Sequence, residues 1–442
     1  MSLANIESEY KLIQSWNLTY SQKIQILYPS SIKELKNIIN FCKKKGKTFA
    51  IRTGECSYDS KSIALEKNGM IISLKKLNKI IRINKKDKLM LVESGAKISD
   101  LIYFLKKKNL TLYSVPGGEH ISVGGAISAN VIGKDSSKLF ASFGDSIKSI
   151  KIISYNGNIK KLYKNSKEFF NYIGSFGMFG IILEANIKTK KIISNNLLLE
   201  TKILKNIEEV EKELKKADEY KYIQIDPFFR KKFFGSVFKG NYIKSSESNY
   251  KNINLKTNFY EKVFFRTASF FINSITWRIF YRIFFQSNAD KKTYIDIHNF
   301  HYSSKYKHMV PLICKKGLID YEVMLKKEFC KDFYKIEKFI TSNKLMPIYI
   351  IIKKLFKSKK KFFYSFNNTG YSVAMAFDLK SLNQIKKNKL ENFFKKRKLL
   401  LNLSKTDTHL IKKKNKVFSK NKKIFMSLYK KKLIGNKYEI SR

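Results

Sequence analysis

Three glycine-bearing segments near the N-terminus constrain the fold of this 442-residue chain more than any other feature. The first is Arg52-Thr53-Gly54-Glu55-Cys56-Ser57-Tyr58. The second runs Pro116-Gly117-Gly118-Glu119-His120-Ile121-Ser122-Val123-Gly124-Gly125-Ala126-Ile127-Ser128-Ala129-Asn130. The third, Gly174-Ser175-Phe176-Gly177-Met178-Phe179-Gly180-Ile181-Ile182, carries much glycine for an apolar run and suits close packing on something flat. Glycine lets the backbone approach a ligand and lets successive N–H groups point at an anion. Each segment taken singly reads as a structural loop; order and spacing carry the information.

The elements around them alternate. Pro29-Ser30-Ser31 opens a helical pattern (Ile32, Leu35, Ile38, Ile39, Cys42) that stops at Lys43–Gly46. Thr48–Arg52 and Lys88–Glu93 read as strands, and Ser99 as the cap of a helix over Asp100–Lys107. Tyr155-Asn156-Gly157-Asn158 between two apolar runs reads as a hairpin turn. Asn206–Ala217 is helical, and longer aromatic strands follow. The order is mixed α+β with no GxGxxG fingerprint. At 43% hydrophobic and 14% aromatic the chain has ample core material, and its length predicts two or three domains.

In this order and spacing the three segments resemble the FAD-binding domain of the vanillyl-alcohol-oxidase (PCMH-type) superfamily. The likeness leans toward the decaprenylphosphoryl-ribose oxidase branch, with aldonolactone oxidases as cousins. In that family the first loop, roughly R-x-G-G-x-S-Y-G, wraps the FAD pyrophosphate. The second, P-G-x-x-x-x-V-G-G-A-I-x-x-N/D-x-H-G-K, runs beside the flavin ring and diphosphate. Here it continues through Asn130-Val131-Ile132-Gly133-Lys134-Asp135 and on to Ser142-Phe143-Gly144-Asp145. The third, with Gly177, Gly180 and Ile181, matches the stretch whose backbone cradles the cofactor.

The resemblance covers residues 15–190 and returns more faintly later. Gly317–Glu322 resembles a G-F-x-Q-Y-Q strand of the substrate domain, Lys354-Leu355-Phe356 a K-x-F-G, and Gly370–Phe377 the G-W strand after it. Leu403-Ser404-Lys405-Thr406-Asp407 resembles a Y-L-x-K-D motif whose lysine sits at flavin and substrate. An ammonium there assists hydride transfer by stabilising the substrate oxygen or the reduced flavin. The resemblance implies an FAD domain over 1–192, a substrate or cap domain with an antiparallel sheet over 193–395, and a segment 396–442 returning to the FAD domain. It implies Lys405, Tyr58 and Lys354 as catalytic residues, with Lys134, Tyr321 and Glu322 beside the substrate and Lys353 in place of Lys354 if the register slips by one. The implied reaction is hydride transfer from a secondary alcohol of a sugar or polyol, free or carried on a polyprenyl phosphate.

Departures are specific. Glu55 and Asp59 stand where the pyrophosphate loop usually has glycine, Ile132 where the branch has an active-site histidine, and Asp320 and Glu322 where it has glutamines. Many relatives attach FAD through a histidine at the position of Cys56; the five histidines here (His120, His298, His301, His308, His409) leave that loop empty, which implies dissociable FAD. An aldonolactone or hydroxy-acid oxidase and a catalytically degenerate flavin-binding relative are the alternatives on this fold.

The formal charge of +54 follows a lysine-rich composition spread over the whole chain. It predicts attraction to anionic lipid as a side effect and no specific nucleic-acid function. Val263–Phe285, aromatic but broken by Arg266, Arg278 and Arg282, has too many charges to span a bilayer. It suits either an interfacial helix or a core or lid helix. Four cysteines without CxxC spacing indicate neither disulfides nor zinc, and no N-terminal apolar run suggests a signal peptide. The expected location is cytoplasmic, peripheral to the inner face of the plasma membrane.

Overall fold

The computed structural model describes residues 3, 5–58, 61–63, 69–228, 235–243, 290–302, 314, 316–326, 328–366 and 368–405, with scattered positions between 263 and 283. Asp59, most of Val263–Phe285 and residues 406–442 therefore lie outside the described residues.

The first sheet has the order β1-β2-β4-β3, from β1 (Ser8–Gln14), β2 (Ser21–Leu27), β3 (Phe49–Ile51) and β4 (Met70–Ile72). Helix α1 (Ile32–Lys45) covers it because Leu35, Ile38, Ile39 and Cys42 recur on one face and bury against Phe49, Met70 and Ile72. Ser31 caps its start by accepting from Glu34 N, and Gly46, at φ 62, ends it.

The second sheet is built on the long β10 (Ile181–Lys191), with β5 (Ile80–Asn84), β6 (Leu89–Glu93), β7 (Leu110–Leu112), β8 (Ile147–Ile153) and β9 (Ile159–Tyr163) around it. The β8–β9 turn places Gly157 at φ 82, as the hairpin reading requires. Helices α2 (Ile98–Lys106), α3 (Val123–Ala129) and α4 (Lys167–Tyr172) bury Leu101, Ile102, Leu105, Val123, Ile127 and Phe169 in the core on this sheet. Ser99 does not cap α2: the helix begins at Ile98, and Ser99 is buried in its first turn. With Lys97 at the N-cap and Ile98 buried, the helix starts two residues before the Asp100 that the serine signal gives.

The second lobe is one antiparallel sheet of eight strands: β11 (Asn196–Leu204), β12 (Tyr220–Ile225), β13 (Gly235–Tyr242), β14 (Lys292–Asp296), β15 (Leu318–Leu325), β16 (Pro347–Leu355), β17 (Gly370–Asp378) and β18 (Leu400–Leu401). Its central order runs β12-β16-β17-β15-β18. Helices α5 (Ile207–Lys215), α7 (Phe329–Ser342) and α8 (Gln384–Lys396) cover one face, while the short α6 (Ile297–His301) follows β14. Of the segment 396–442, the described part ends α8 and pairs Leu400 and Leu401 with Met324 and Val323, inside this sheet.

Successive side chains of a strand point to opposite faces. On β15, Ile319, Tyr321, Val323 and Leu325 bury under the helices, which turns Asp320 and Glu322 toward the first lobe. The same alternation puts Val373 and Met375 under the helices and Ser372 on the opposite face. Direct ties fix the lobes to each other. Leu318 N donates to Asn17 O at 2.9 Å and Asn17 Nδ2 returns a bond to Leu318 O at 3.0 Å. Asn130 Nδ2 donates to Ser365 Oγ at 3.1 Å, and Ser358 Oγ to Asp145 Oδ2 at 2.6 Å. Of the aromatic 263–285 segment, Trp277 and Tyr281 are buried beside Leu318, Ile348 and Ala376, whereas Ile279 and Ile283 are 56% and 58% exposed.

Candidate active site at the lobe junction

The loop from Arg52 to Tyr58 and the turn from Pro116 to Gly125 meet back to back. A Cβ on Gly54 would lie 2.0 Å from His120 O, so only glycine permits the contact. Arg52 is buried, its guanidinium donating to Ser62 Oγ at 2.9 Å and Gln14 O at 2.6 Å. Its charge therefore anchors the loop from behind. Thr53 Oγ1 accepts from Leu74 N, Cys56 Sγ donates to Gly54 O, and Ser57 O accepts from Trp16 N. Glu55 is exposed at φ 56, a conformation that strains any residue but glycine.

The second segment rises into α3. Ser122 caps it by accepting from Gly125 N at 3.3 Å, Gly124 packs on Ser94, and Gly118 packs on Ile121. Gly117 faces open space and Gly125 is exposed, leaving bare backbone at both positions. Ala126 is buried in the core, while Ser128 O accepts from Phe176 N, clasping the third segment to the end of α3. Asn130, at φ 46, accepts from Gly144 N and binds Tyr364 and Ser365. Gly133 sits against Ser114 and Val115, whose N–H groups donate to Asp135. Ser142 and Phe143 start the short turn closed by Asp145. Gly177 O accepts from Tyr155 OH, Gly180 (φ 148) lies on Ile153 O, and Ile181 is buried as β10 begins.

Tyr58 ends the first loop with its ring 5.0 Å from Trp16 and its OH donating to Asp320 Oδ2 at 3.3 Å. There the loop meets a polar cluster on the sheet. Tyr349 OH donates to the same oxygen at 3.1 Å, and Lys405 Nζ lies 3.5 Å from it and 3.3 Å from Glu322 Oε2. Glu322 also accepts from Ser372 Oγ and from Asn402 Nδ2 at 2.7 Å, with Lys353 Nζ at 3.9 Å. Asp320 Oδ1 is buried with no partner among the described residues. Lys134 flanks the cluster, donating to Phe300 O at 3.1 Å across the rings of Tyr222 and Phe300.

The charges are unequal. Burial opposes ionisation of Glu322, yet Lys405, Lys353, Ser372 and Asn402 outweigh it and hold the carboxyl at about 2. Asp320 has one lysine and a like charge beside it, and burial raises it above the usual aspartate range. Burial also works against the charge of Lys405, but Asp320 and Glu322 hold it above the usual lysine range. Lys353 is pushed down by burial, and Lys134 falls to about 8 through burial and the proximity of Lys353. Burial and Asp320 raise Tyr58 and Tyr349 well above the usual tyrosine range.

Residues 24–163 match the family described as an FAD binding domain. The first lobe is an FAD-binding domain. The match supports FAD as its cofactor. The chain is similar to decaprenylphosphoryl-beta-D-ribose oxidase of Mycolicibacterium smegmatis, at 26% identity over 42% of this chain and 41% of that protein. It is also similar to D-lactate dehydrogenase of Anaerostipes hadrus, at 31% identity over 28% and 29%. The matched stretches thus span less than half of either relative. Among solved structures, cholesterol oxidase of Brevibacterium sterolicum shares the fold, with a TM-score of 0.70 and 11% identity over 92% of this chain and 88% of that one.

The residues of the FAD-binding domain fit the cofactor: glycine backbone is bare at Gly117 and Gly125, and the Glu55 position has the backbone of a glycine. The structure gathers Tyr58, Lys405, Glu322 and Lys134 at the junction. It does not bring Lys354 or Tyr321 there. Lys354 lies over the Phe356 ring on the helix-covered side of β16, and Tyr321 OH donates to Glu391 under α8. Strand alternation gives the position to Lys353 in place of Lys354. Tyr349, Ser372 and Asn402 are not among the expected site residues, and Asp320 is expected only as the replacement of a customary glutamine; period two along β15 ties it to Glu322. Ile132 packs in an apolar cluster with Met324, Leu355, Tyr364, Phe366 and Leu403. Among the described residues no helix is long and apolar enough to cross a membrane, and no His, Cys, Asp and Glu group is arranged to hold a metal ion.

Proposed function

We propose that this chain is an FAD-dependent oxidoreductase acting on a secondary alcohol of a sugar or polyol, free or carried on a polyprenyl phosphate. One observation carries the reading: Tyr58, the last residue of the FAD-binding loop, bonds Asp320 within a cluster that holds Lys405, Glu322 and Lys353 on the facing sheet. Cofactor loop and substrate groups thus meet at a lobe junction, a usual place for a ligand site. Bound there, the flavin supplies a two-electron acceptor for hydride. The bare backbone of Gly117 and Gly125 admits the diphosphate, and Arg52 braces the adjoining loop. Lys405 stays protonated and steadies the substrate oxygen. The hydroxyl oxygens of Tyr58 and Tyr349, whose protons go to Asp320, remain as acceptors for neighbouring hydroxyls, and the buried sheet face excludes water.

No histidine stands in the loop from Arg52 to Tyr58, so the FAD is dissociable. The net charge of +54 supports attraction to an anionic inner membrane face, each near-surface cation adding roughly 1 kcal/mol. Exposed Ile279 and Ile283 support the same placement, and release from a membrane fraction by salt tests it.

The primary test is the visible spectrum of the purified chain before and after acid precipitation. Flavin bands that move to the supernatant are expected. Bands that stay with the precipitate assign a covalent link, with Cys56 as its site. A colourless protein that takes up no added FAD overturns the reading and leaves a degenerate relative, with Glu55 and Ile132 as the reasons.

A further inference from the structure

We infer that Asp320 Oδ1 receives the hydroxyl proton of the substrate, which makes the lobe junction at Asp320 a site for an uncharged polyhydroxylated alcohol. The inference rests on the oxidoreductase reading above and names the proton acceptor within it.

The two oxygens of Asp320 are used unequally. Oδ2 takes the Tyr58 hydroxyl, the Tyr349 hydroxyl and the Lys405 ammonium, while Oδ1, equally buried, takes nothing among the described residues. A buried acceptor without a donor is rare in folded proteins, because each such group keeps the cost of leaving water. At a lobe junction beside a cofactor loop, the missing donor is a ligand's O–H. Its neighbour Glu322 cannot serve, since both of its oxygens are bonded, to Ser372 and to Asn402, with two lysines alongside. Tyr58 and Tyr349 donate inward to Oδ2, which fixes the carboxyl plane and leaves Oδ1 facing away from them.

The step balances. The substrate O–H bond breaks and its proton passes to Asp320 Oδ1. The carbinol C–H bond breaks and hydrogen leaves with its electron pair to the oxidant, a flavin nucleotide. The alcohol is oxidised by two electrons to a carbonyl, and Asp320 later loses its proton to solvent. An ionised carboxylate at this place repels a carboxylate on the reacting carbon. Lys405 and Lys353 offset that repulsion only in part, because Asp320 and Glu322 already share them. Neutral polyols are therefore favoured over 2-hydroxy acids.

The groups facing Asp320 set the pH behaviour. Burial and Glu322 raise it, while Lys405 and Tyr349 pull the other way, leaving it above the usual aspartate range. It must be ionised to accept a proton, so the rate falls as pH drops through that raised value. Glu322, at about 2, lies too low to produce this limb, and Tyr58, Tyr349 and Lys405 titrate too high. Lys353 and Lys134 are lowered from the lysine range and belong to an alkaline limb.

The experiment compares the full-length holoprotein with Asp320→Asn and Asp320→Glu. Anaerobic stopped-flow follows flavin reduction by D-sorbitol, D-arabinitol and D-lactate across pH. Asp320→Asn is expected to keep its flavin and lose about 100-fold or more in limiting rate with half-saturation little changed. Its acid limb disappears, and Asp320→Glu retains one. A second readout needs no turnover: in protein labelled with 13C at aspartate carboxyls, one signal titrates above the free-aspartate range and is missing from both variants. Equal rates and pH profiles in wild type and Asp320→Asn overturn the assignment while the flavoenzyme stands. So does an Asp320 signal in the ordinary range, or faster reduction by D-lactate than by either polyol. A wild type that binds FAD and is reduced by no alcohol overturns the proposed function instead.

Discussion

Lys405→Met removes the cation that two buried carboxylates share, and its consequence follows from their environments. Glu322 is held at about 2 against 4.5 for a free glutamate. At roughly 1.4 kcal/mol per pH unit this is about 3 kcal/mol of stability at neutral pH. Lys405 is the foremost favourable contributor, and Lys353 at 3.9 Å cannot replace it. Its loss also leaves Asp320 and Glu322 repelling each other in a buried site. The variant should therefore lose about 3–5 kcal/mol, the range for breaking a buried ion pair from one side. The assay is chemical denaturation of the full chain between pH 8 and pH 5, and the sign of the pH effect is the sharper part. In the wild type the depressed Glu322 gives stability that is present above pH 4.5 and lost as pH falls toward 2. In the variant both carboxyls lie above their unfolded values, so its stability rises as pH falls from 8 toward 5 and its deficit shrinks. A deficit below about 1 kcal/mol, or one that is flat across that range, would refute the linkage between Lys405 and the two carboxylates.

Three further outcomes follow from the same geometry. Lys353→Ala should slow flavin reduction by about tenfold or more, whereas Lys354→Ala, on the opposite face, should stay within about twofold; reversed effects would place the register one residue away. Gly54→Ala, whose Cβ would strike His120 O, should abolish FAD retention, measured as flavin per protein, while Gly117→Ala should leave the unfolding midpoint unchanged and weaken FAD affinity. Glu55→Gly should stabilise the chain by about 1 kcal/mol through release of the strained φ of 56 and should tighten FAD binding, read by denaturation and by flavin titration.

The FAD-binding domain was largely legible in the sequence because its signals are local. Ser31 and Gly46 bracket α1, Gly157 makes the β8–β9 turn, and glycine is required wherever backbone meets backbone, as at Gly54 and His120. The substrate face was only partly legible. Lys405 and Glu322 were placed by motif position, but Tyr321 and Lys354 belong to strands whose facing residue depends on register, and a slip of one exchanges the faces. The start of α2 was missed at Ser99 because the apolar demand of Ile98 prevails over a capping preference. The partnerless Oδ1 of Asp320 had no sequence signal at all; it exists only because Tyr58, 262 positions away, and Tyr349 both commit to Oδ2.

The alternation on β15 also bears on how such a protein changes over time. Ile319, Tyr321, Val323 and Leu325 answer to the helices behind them, and Asp320 and Glu322 to whatever enters the junction. Selection on apolar packing and selection on the charged cluster therefore act on interleaved positions of one short strand. Exchanging Asp320 and Glu322 for amides leaves the hydrophobic interior intact but strips Lys405 and Lys353 of their counter-charges, so a lineage that changes substrate here must change the lysines with the carboxylates. A single inserted residue within Leu318–Leu325 has the opposite character: it trades the two sets, sends carboxylates into the interior, and ends both properties at once.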